Sequence, residues 1–521
     1  MFFDTEPGWK KAINNAIALC SIFTEGFSKE RTMGLTQEVV NFVVETRYRD
    51  IPPEVIRLAQ GLILDGLGVT LAGCTEKGSR ILQGLIRQCG GKKEATVAGT
   101  GTMAPSMMAA LANGAAGHAM DYDDTQLSTS KEAVYGLLTH PTVPVLSAIL
   151  AVGEREKISG QEFLLAYILG VEVECRIADA INPRHYQSGF HSTATIGGLG
   201  ATAAVGRILN LREEALARAL GIAASMSSGL RENFGTMTKP LHAGRAAQNG
   251  VTAALLADKG FTSAHNILEA KRGFFNAMAG GYDEKKISGR LGKPYFMQDP
   301  GISIKPYPSG SLSHPAQDCI LDLVKTHNLH AEQIESIEVG TNSNVPNALI
   351  YPMPKTALEG KFSIPFCMAI GVLERKAGIA QFTDRKVRDP KVVELMKRVT
   401  LYVDQELEAL GYDQVRSRVR IKLKDGKSIE GRADVARGHP LKPMSWAEIG
   451  EKFRDCASLC LSRGNTEAAV ELVANLNRQR SILPLVRALC GGKSAGVKAK
   501  LKKRAQGKRP RSKKWSGIRK R

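Results

Sequence analysis

Gly197-Gly198-Leu199-Gly200-Ala201-Thr202-Ala203-Ala204 is the stretch on which the fold class turns. Read as Gly198-x-Gly200-x-x-Ala203 it resembles a dinucleotide fingerprint. That reading requires a strand leading in and an acidic residue about 20 residues further on. No alternating or β-branched run precedes it, and no acidic residue stands at that distance. The small residues therefore read as a surface along which helix backbones approach closely. Ala109-Ala110-Leu111-Ala112-Asn113-Gly114-Ala115-Ala116 has the same character.

Working outward, apolar spacing nearer 3.6 than 2 predicts helices over 105–119, 142–154, 161–179, 194–209, 212–229 and 243–259. Thr36 is expected to cap a first helix, and Pro52-Pro53 to open a second. The pattern changes near Gly292. Ile334 to Val339, Val399 to Val403 and Val419 to Leu423 read as strands, the last followed by an Asp425-Gly426 hairpin turn. From Trp446 the spacing is helical again.

The expected fold is mainly α, with a large all-α domain over 35–292 and a smaller α+β domain over 293–436. A helical return follows over 437–490. Residues 1–34 read as an N-terminal extension, with Met33 as an alternative start, and 491–521 as a basic, disordered tail.

Charge is concentrated in that tail. The formal +20 of the 521-residue chain falls to +6 once the 14 lysines and arginines of 491–521 are set aside. A body so weakly basic suits small anionic substrates, and nucleic acid is expected only through the tail. The nine cysteines form no Cys-x-x-Cys pair, which argues against zinc and for reduced thiols in a cytoplasmic protein. No run of about 18 apolar residues stands out, so no membrane span is expected.

Four clusters carry ionisable side chains among turn residues. Asp121-Tyr122-Asp123-Asp124-Thr125 places three carboxylates within four positions, which must be solvated, hydrogen-bonded or faced by cations. Taken alone, Asp123 and Asp124 read as a solvated helix end. Thr139-His140-Pro141 and Gly189-Phe190-His191-Ser192-Thr193 each set a histidine at a loop-to-helix junction, and histidine titrates in the range that suits proton transfer. Thr238-Lys239-Pro240-Leu241-His242-Ala243-Gly244-Arg245 and Lys305-Pro306-Tyr307-Pro308 supply lysines suited to carboxylates.

Asp121-Tyr122-Asp123-Asp124 also matches the Asp-x-Asp-Asp of class II terpene cyclases. Such sites need aromatic walls around a carbocation, and only 6% of this chain is aromatic. Magnesium on the same aspartates is a further reading that a chelator assay would test. A non-enzymatic alternative is a helical dimer whose basic tail binds RNA.

These clusters, with Lys361-Phe362-Ser363-Ile364-Pro365-Phe366, resemble in order the landmarks of the MmgE/PrpD family of 2-methylcitrate dehydratases, cis-aconitate decarboxylases and an iminodisuccinate epimerase. The resemblance runs from Leu35 to Cys490. It implies a cleft between a helical domain and a lid, a homodimer, a small polycarboxylate substrate and no metal or organic cofactor. The proposed groups of the decarboxylase branch fall on Asp121, Thr125, His140, His191, Lys239 and Lys305, and a tyrosine of that branch falls on Phe366. The loop holding Lys131, Glu132 and Tyr135 is expected at the cleft mouth.

The expected chemistry is that of a lyase, a dehydratase in the first instance, with epimerase or decarboxylase as alternatives. His140 or His191 would remove a proton α to a carboxylate. Lys239 would hold the developing charge and Asp121 would orient a histidine. Thr125, Lys305, Arg245, His242 and Tyr307 would bind substrate.

Overall fold

Helix backbones meet at glycines where the small-residue stretches fall. The computed structural model describes residues 33–126, 139–411 and 414–491, so the N-terminal extension, the basic tail and the loop with Lys131, Glu132 and Tyr135 lie outside the described residues. A Cβ on Gly200 would stand 2.7 Å from the carbonyl oxygen of Gly170, and one on Gly244 would stand 2.4 Å from that of Leu111. The Gly198/Gly200 stretch thus lies inside the helix Gly197–Ile208 as packing surface, as expected.

The chain is mainly α. Helices Leu35–Glu45, Pro53–Gly73, Ser106–His118, Thr142–Glu156, Gly160–Ile181, Gly197–Ile208, Glu213–Ser225 and Thr238–Asp258 share one hydrophobic core, to which Trp446–Ala457 and Arg463–Ala474 return. Thr36 does not cap: Gly34 holds that position, and the Thr36 hydroxyl donates to Glu269 from inside the first turn. Pro53–Gly73 is long and apolar enough to cross a membrane by length and composition. Its most apolar window is 83% buried in this core, and it carries Gln60 and Asp65.

A second core holds Tyr307 to Leu423. Its sheet has Ile334–Thr341 paired in parallel with Val399–Val403 and antiparallel with Ser417–Leu423, which pairs antiparallel with Ser428–Ala433. Alternate residues of Ser417–Leu423 are buried, under the helix His314–Thr326, while the helix Ile364–Glu374 packs on Val399–Val403. The other face carries ion pairs such as Lys422 with Glu335 and Arg420 with Glu430. This is the alternation of a sheet wetted on one side. Gly426 turns the Asp425-Gly426 hairpin at φ +87°.

The passage between cores positions the site. Thr125–Gln126 pairs antiparallel with Ile302–Ser303, Thr125 opposite Ser303, which brings the aspartate loop beside the strand leading to Lys305. The returning chain is held there too, because the Ile304 N–H donates to the carbonyl of Gly438.

The crossing of Ser106–His118 with Thr238–Asp258 brings Gly114 to Gly244 and sets the His118 end of one helix beside the Lys239 end of the other. Gly244→Ala is expected to destabilise by about 1–3 kcal/mol through overpacking. Gly464→Ala, in a helix where a Cβ meets open space, is expected to be neutral or to stabilise by up to about 1 kcal/mol. Urea midpoints of both variants check this, and equal effects would overturn it.

Candidate active site

The helix Ser106–His118 ends just before the aspartate loop, and Asp121 turns the chain in the left-handed region at φ 51°, a conformation aspartate tolerates better than most. Every member of the loop from Asp121 to Thr125 is buried, including Asp123 at 0% and Asp124 at 1% exposure. The solvated helix end expected for those two is therefore corrected. Each carboxylate has instead found a buried partner.

Asp121 lies between two lysines: Lys239 Nζ is 2.5 Å from Oδ1 and Lys305 Nζ 3.1 Å from Oδ2. Burial pushes its carboxyl up, but Lys239 and Lys305 overcome this and hold it well below the usual carboxylate range. Asp123 accepts from His118 Nδ1 at 2.8 Å. Asp124 accepts from the Thr142 hydroxyl at 2.5 Å, and that oxygen lies 2.6 Å from the Tyr167 hydroxyl. Burial pushes Asp124 up to about 8, against the Thr142 hydrogen bond and with Asp123 and Asp65 adding to it. One carboxyl of the loop is thus a neutral acid at pH 7.

The loop's carbonyls are used as fully as its carboxylates. Met120 accepts from Lys361 Nζ, Asp121 from Lys305 Nζ, Tyr122 from Lys452 Nζ, and Asp124 from His140 Nδ1. A carbonyl can only accept, so His140 carries its proton on Nδ1 and leaves the Nε2 lone pair as a base. Burial holds this histidine down to about 3 against the pull of Asp123.

The imidazoles form a cluster. The His118 ring is 4.7 Å from His140 and 5.5 Å from His191, and His191 Nδ1 meets His242 Nδ1 at 3.1 Å. Burial lowers all four from the ordinary value, with His242 at about 4. His118 Nε2, His191 Nε2 and Thr125 Oγ1 are buried without a partner among the described residues. Buried polar atoms are normally satisfied, so these three point to a guest molecule.

Asp121, Thr125, His140, His191, Lys239, His242 and Lys305 are thus brought together. Two expected site residues are not. Arg245 is exposed and donates to Gln248 on its own helix, and Tyr307 gives its hydroxyl to Asp318 at 2.5 Å inside the second core. Phe366, at the tyrosine position, is fully buried in the second core and packs edge-to-face on Phe382 at 5.4 Å.

Sequence reasoning missed roles for His118, Lys361 and Lys452. The first two stood inside family landmarks but were given no part. Lys452, on the returning helix, binds Asp65 at 2.6 Å and the carbonyls of Tyr122 and Lys305 at 2.8 Å each. A lysine in an amphipathic helix gives no signal of this in sequence.

His118, Asp123 and His140 bring ligating atoms within 4.8 Å of one another, the grouping among the described residues with the geometry to hold a metal ion. Nδ1 of each histidine already has a protein partner there.

Burial sets the pH dependence of stability. Seven described histidines are held below their ordinary value, while four buried carboxyls, Asp65, Asp124, Glu174 and Asp179, are raised. Below pH 6.5 the unfolded chain takes up protons on these histidines that the native state refuses, so stability falls with acid. The four carboxyls act in the opposite sense but are outnumbered. Urea unfolding is expected to show stability dropping from pH 6.5 to pH 4. A flat or rising profile would overturn this assignment.

Residues 37–286 match the MmgE/PrpD N-terminal domain and residues 307–478 the MmgE/PrpD C-terminal domain. The chain is 28% identical to the cis-aconitate decarboxylase of Homo sapiens over 458 residues, 85% of this chain and 92% of that protein. Identity is also 28% with the cis-aconitate decarboxylases of Mus musculus, over 88% of this chain and 93% of that protein, and of Aspergillus terreus, over 88% and 96%. Matches to both domains and across nearly the whole length of these relatives agree with the site geometry, and the chain belongs to the MmgE/PrpD family.

Proposed function

We propose that this chain is a lyase that transfers a proton at the carbon α to a carboxylate of a small tricarboxylate, using its own side chains and no metal. The observation that carries the proposal is His140, a buried base whose tautomer is fixed by the Asp124 carbonyl, set beside the Lys239–Asp121–Lys305 cluster. Lysines in a dry site stabilise the charge that builds on a carboxylate as its α-carbon loses a proton or carbon dioxide. His191, with His242 against it and its ring 6.5 Å from that of His140, is the second proton carrier. Region 293–436 acts as a lid in this reading, since it delivers Lys305 and Lys361 to the loop.

Decarboxylation of a cis-aconitate-like acid is the first reaction to assay, because the relatives matched over most of their length carry that name. In it the bond from carbon to the departing carboxylate breaks, carbon dioxide leaves, and the electron pair shifts through the double bond to a carbon that takes a proton. Dehydration is the second reading, favoured by Phe366, which lacks the hydroxyl of the decarboxylase branch, and by a base that is neutral before substrate arrives.

The discriminating experiment incubates the protein in heavy water with cis-aconitate, 2-methylcitrate and imino- or aminodicarboxylates, and follows deuterium entry and product by NMR. Carbon dioxide release with deuterium in the product marks the first reading, and loss of water the second. His140→Ala and Lys239→Ala are each expected to slow exchange by roughly 100-fold or more. Full activity in both variants would sink the assignment. Activity is expected to survive EDTA, and a loss restored by a divalent ion would instead make His118, Asp123 and His140 metal ligands.

The homodimer belongs to the same proposal. Helix Lys77–Cys89 leaves Ile81 58% and Leu85 55% exposed one turn apart, an apolar face that supports a second copy as its cover. Light scattering is expected to give a dimer for the wild-type chain and a monomer for Ile81→Asp/Leu85→Asp. A monomeric wild type, or a double variant that stays dimeric, would reject it.

A further inference from the structure

Among the described residues four buried lysines surround residues 120–122, and three of them are accounted for. Lys452 has the Asp65 carboxylate and two carbonyls, which uses its three donors. Lys239 and Lys305 share the two oxygens of Asp121. The fourth, Lys361, is only 5% exposed, and among the described residues its ammonium touches one neutral acceptor, the carbonyl of Met120. No carboxylate lies within ion-pair distance of it among those residues.

A buried ammonium without a counterion is costly to keep, so such a group is retained where something else supplies the charge. The position of Lys361 suits that role. It precedes Ser363, which caps the helix Ile364–Glu374, so its backbone is fixed at a helix entrance. Its carbonyl accepts the Gly310 N–H at 2.9 Å, which ties it to the segment running on from Lys305. The groups facing it are Asp121, Glu76, Lys305 and Lys239.

We infer that Lys361 is a substrate-binding residue whose missing counterion is a carboxylate of the substrate, distinct from any carboxylate held by Lys239 and Lys305. This rests on the polycarboxylate reading above and assigns one carboxylate of that substrate to the second core. It makes Lys361 a specificity determinant, because an acid lacking that carboxylate leaves a buried charge unpaired. It also couples binding to the joining of the two cores, since the ligand then bridges lysines from both. Burial holds this ammonium down to about 8 against the pull of Asp121 and Glu76, with Lys305 and Lys239 adding to the fall. Anion binding through it therefore weakens as the pH rises through 8.

The test is calorimetric binding of tricarballylate, glutarate and succinate, the two diacids each lacking a different carboxylate of the triacid, to wild type, Lys361→Met and Lys361→Arg. Lys361→Met is expected to weaken the triacid on the order of 30-fold or more and to leave one of the two diacids unaffected. Lys361→Arg is expected to keep the affinity and lose the weakening above pH 8. If all three acids weaken equally, or none does, Lys361 is structural and the inference falls while the proposed function stands. If wild type binds no acid and exchanges no deuterium, the proposed function falls and takes this inference with it. Should Lys361→Met fail to fold, the pH profile of Lys361→Arg decides alone, and a weakening above pH 8 that persists in it refutes the assignment.

Discussion

A loop bearing three carboxylates has been taken out of water, and the rest of the structure follows from what is needed to keep it there. Asp121, Asp123 and Asp124 repel one another in a medium that cannot screen them, so each must be paired or neutralised. The loop pairs Asp121 with lysines, pairs Asp123 with a histidine, and leaves Asp124 protonated beside Thr142. Its backbone is held the same way, with Lys361, Lys305 and Lys452 on three successive carbonyls from Met120 to Tyr122. These lysines come from the second core, the passage between the cores and the returning helix. The loop is buried and satisfied only when all three are assembled, so folding and site formation are one event.

That constraint also sets the chemistry. Burial leaves His140 and His191 neutral, and neighbouring positive charge, Lys305 and Lys239 at His140 and Lys239 at His191, adds to it. Neutral imidazoles next to ammonium groups combine a proton acceptor with a stabiliser of negative charge on carbon. Both are wanted at a carbon α to a carboxylate. The unpartnered Nε2 atoms of His118 and His191 and the Thr125 hydroxyl are where this arrangement stops being self-sufficient.

The fold was legible where local pattern and packing agree. Missing strand signals before Gly198 correctly turned a nucleotide motif into helix packing, and the Asp425-Gly426 turn placed the hairpin. The site was legible as residue types and misread as environment. Asp123 reads as solvent-facing because its partner, His118, lies across a helix end, a relation that periodicity does not display. Arg245 read as a substrate cation for its nearness to Lys239 in sequence. Six residues along a helix carry it about 120° around the axis from Lys239, and it is exposed beside Gln248 instead. Lys452 was invisible because its partners, Asp65, Tyr122 and Lys305, are set by the return of the chain to the first core.

Phe366 shows how the two cores divide the chemistry. Its ring serves the second core against Phe382, so no hydroxyl donates from that position. A reaction that begins by removing a proton does not need one, since His140 is ready to accept and can return the proton to a leaving hydroxide. A reaction that begins by losing carbon dioxide needs a donor for the carbanion left behind. With the imidazoles held neutral, the donors at hand are the ammonium groups, the protonated carboxyl of Asp124 and a histidine charged by the arriving substrate. Substrate carboxylates raise the proton affinity of the groups they touch, and among the described residues the Lys361 ammonium at this loop has no carboxylate within ion-pair distance. On the proposed reading, the identity of the anion at that lysine bears on which proton is available as well as on which acid is bound, so that specificity and reaction course would be set at the same boundary between the cores.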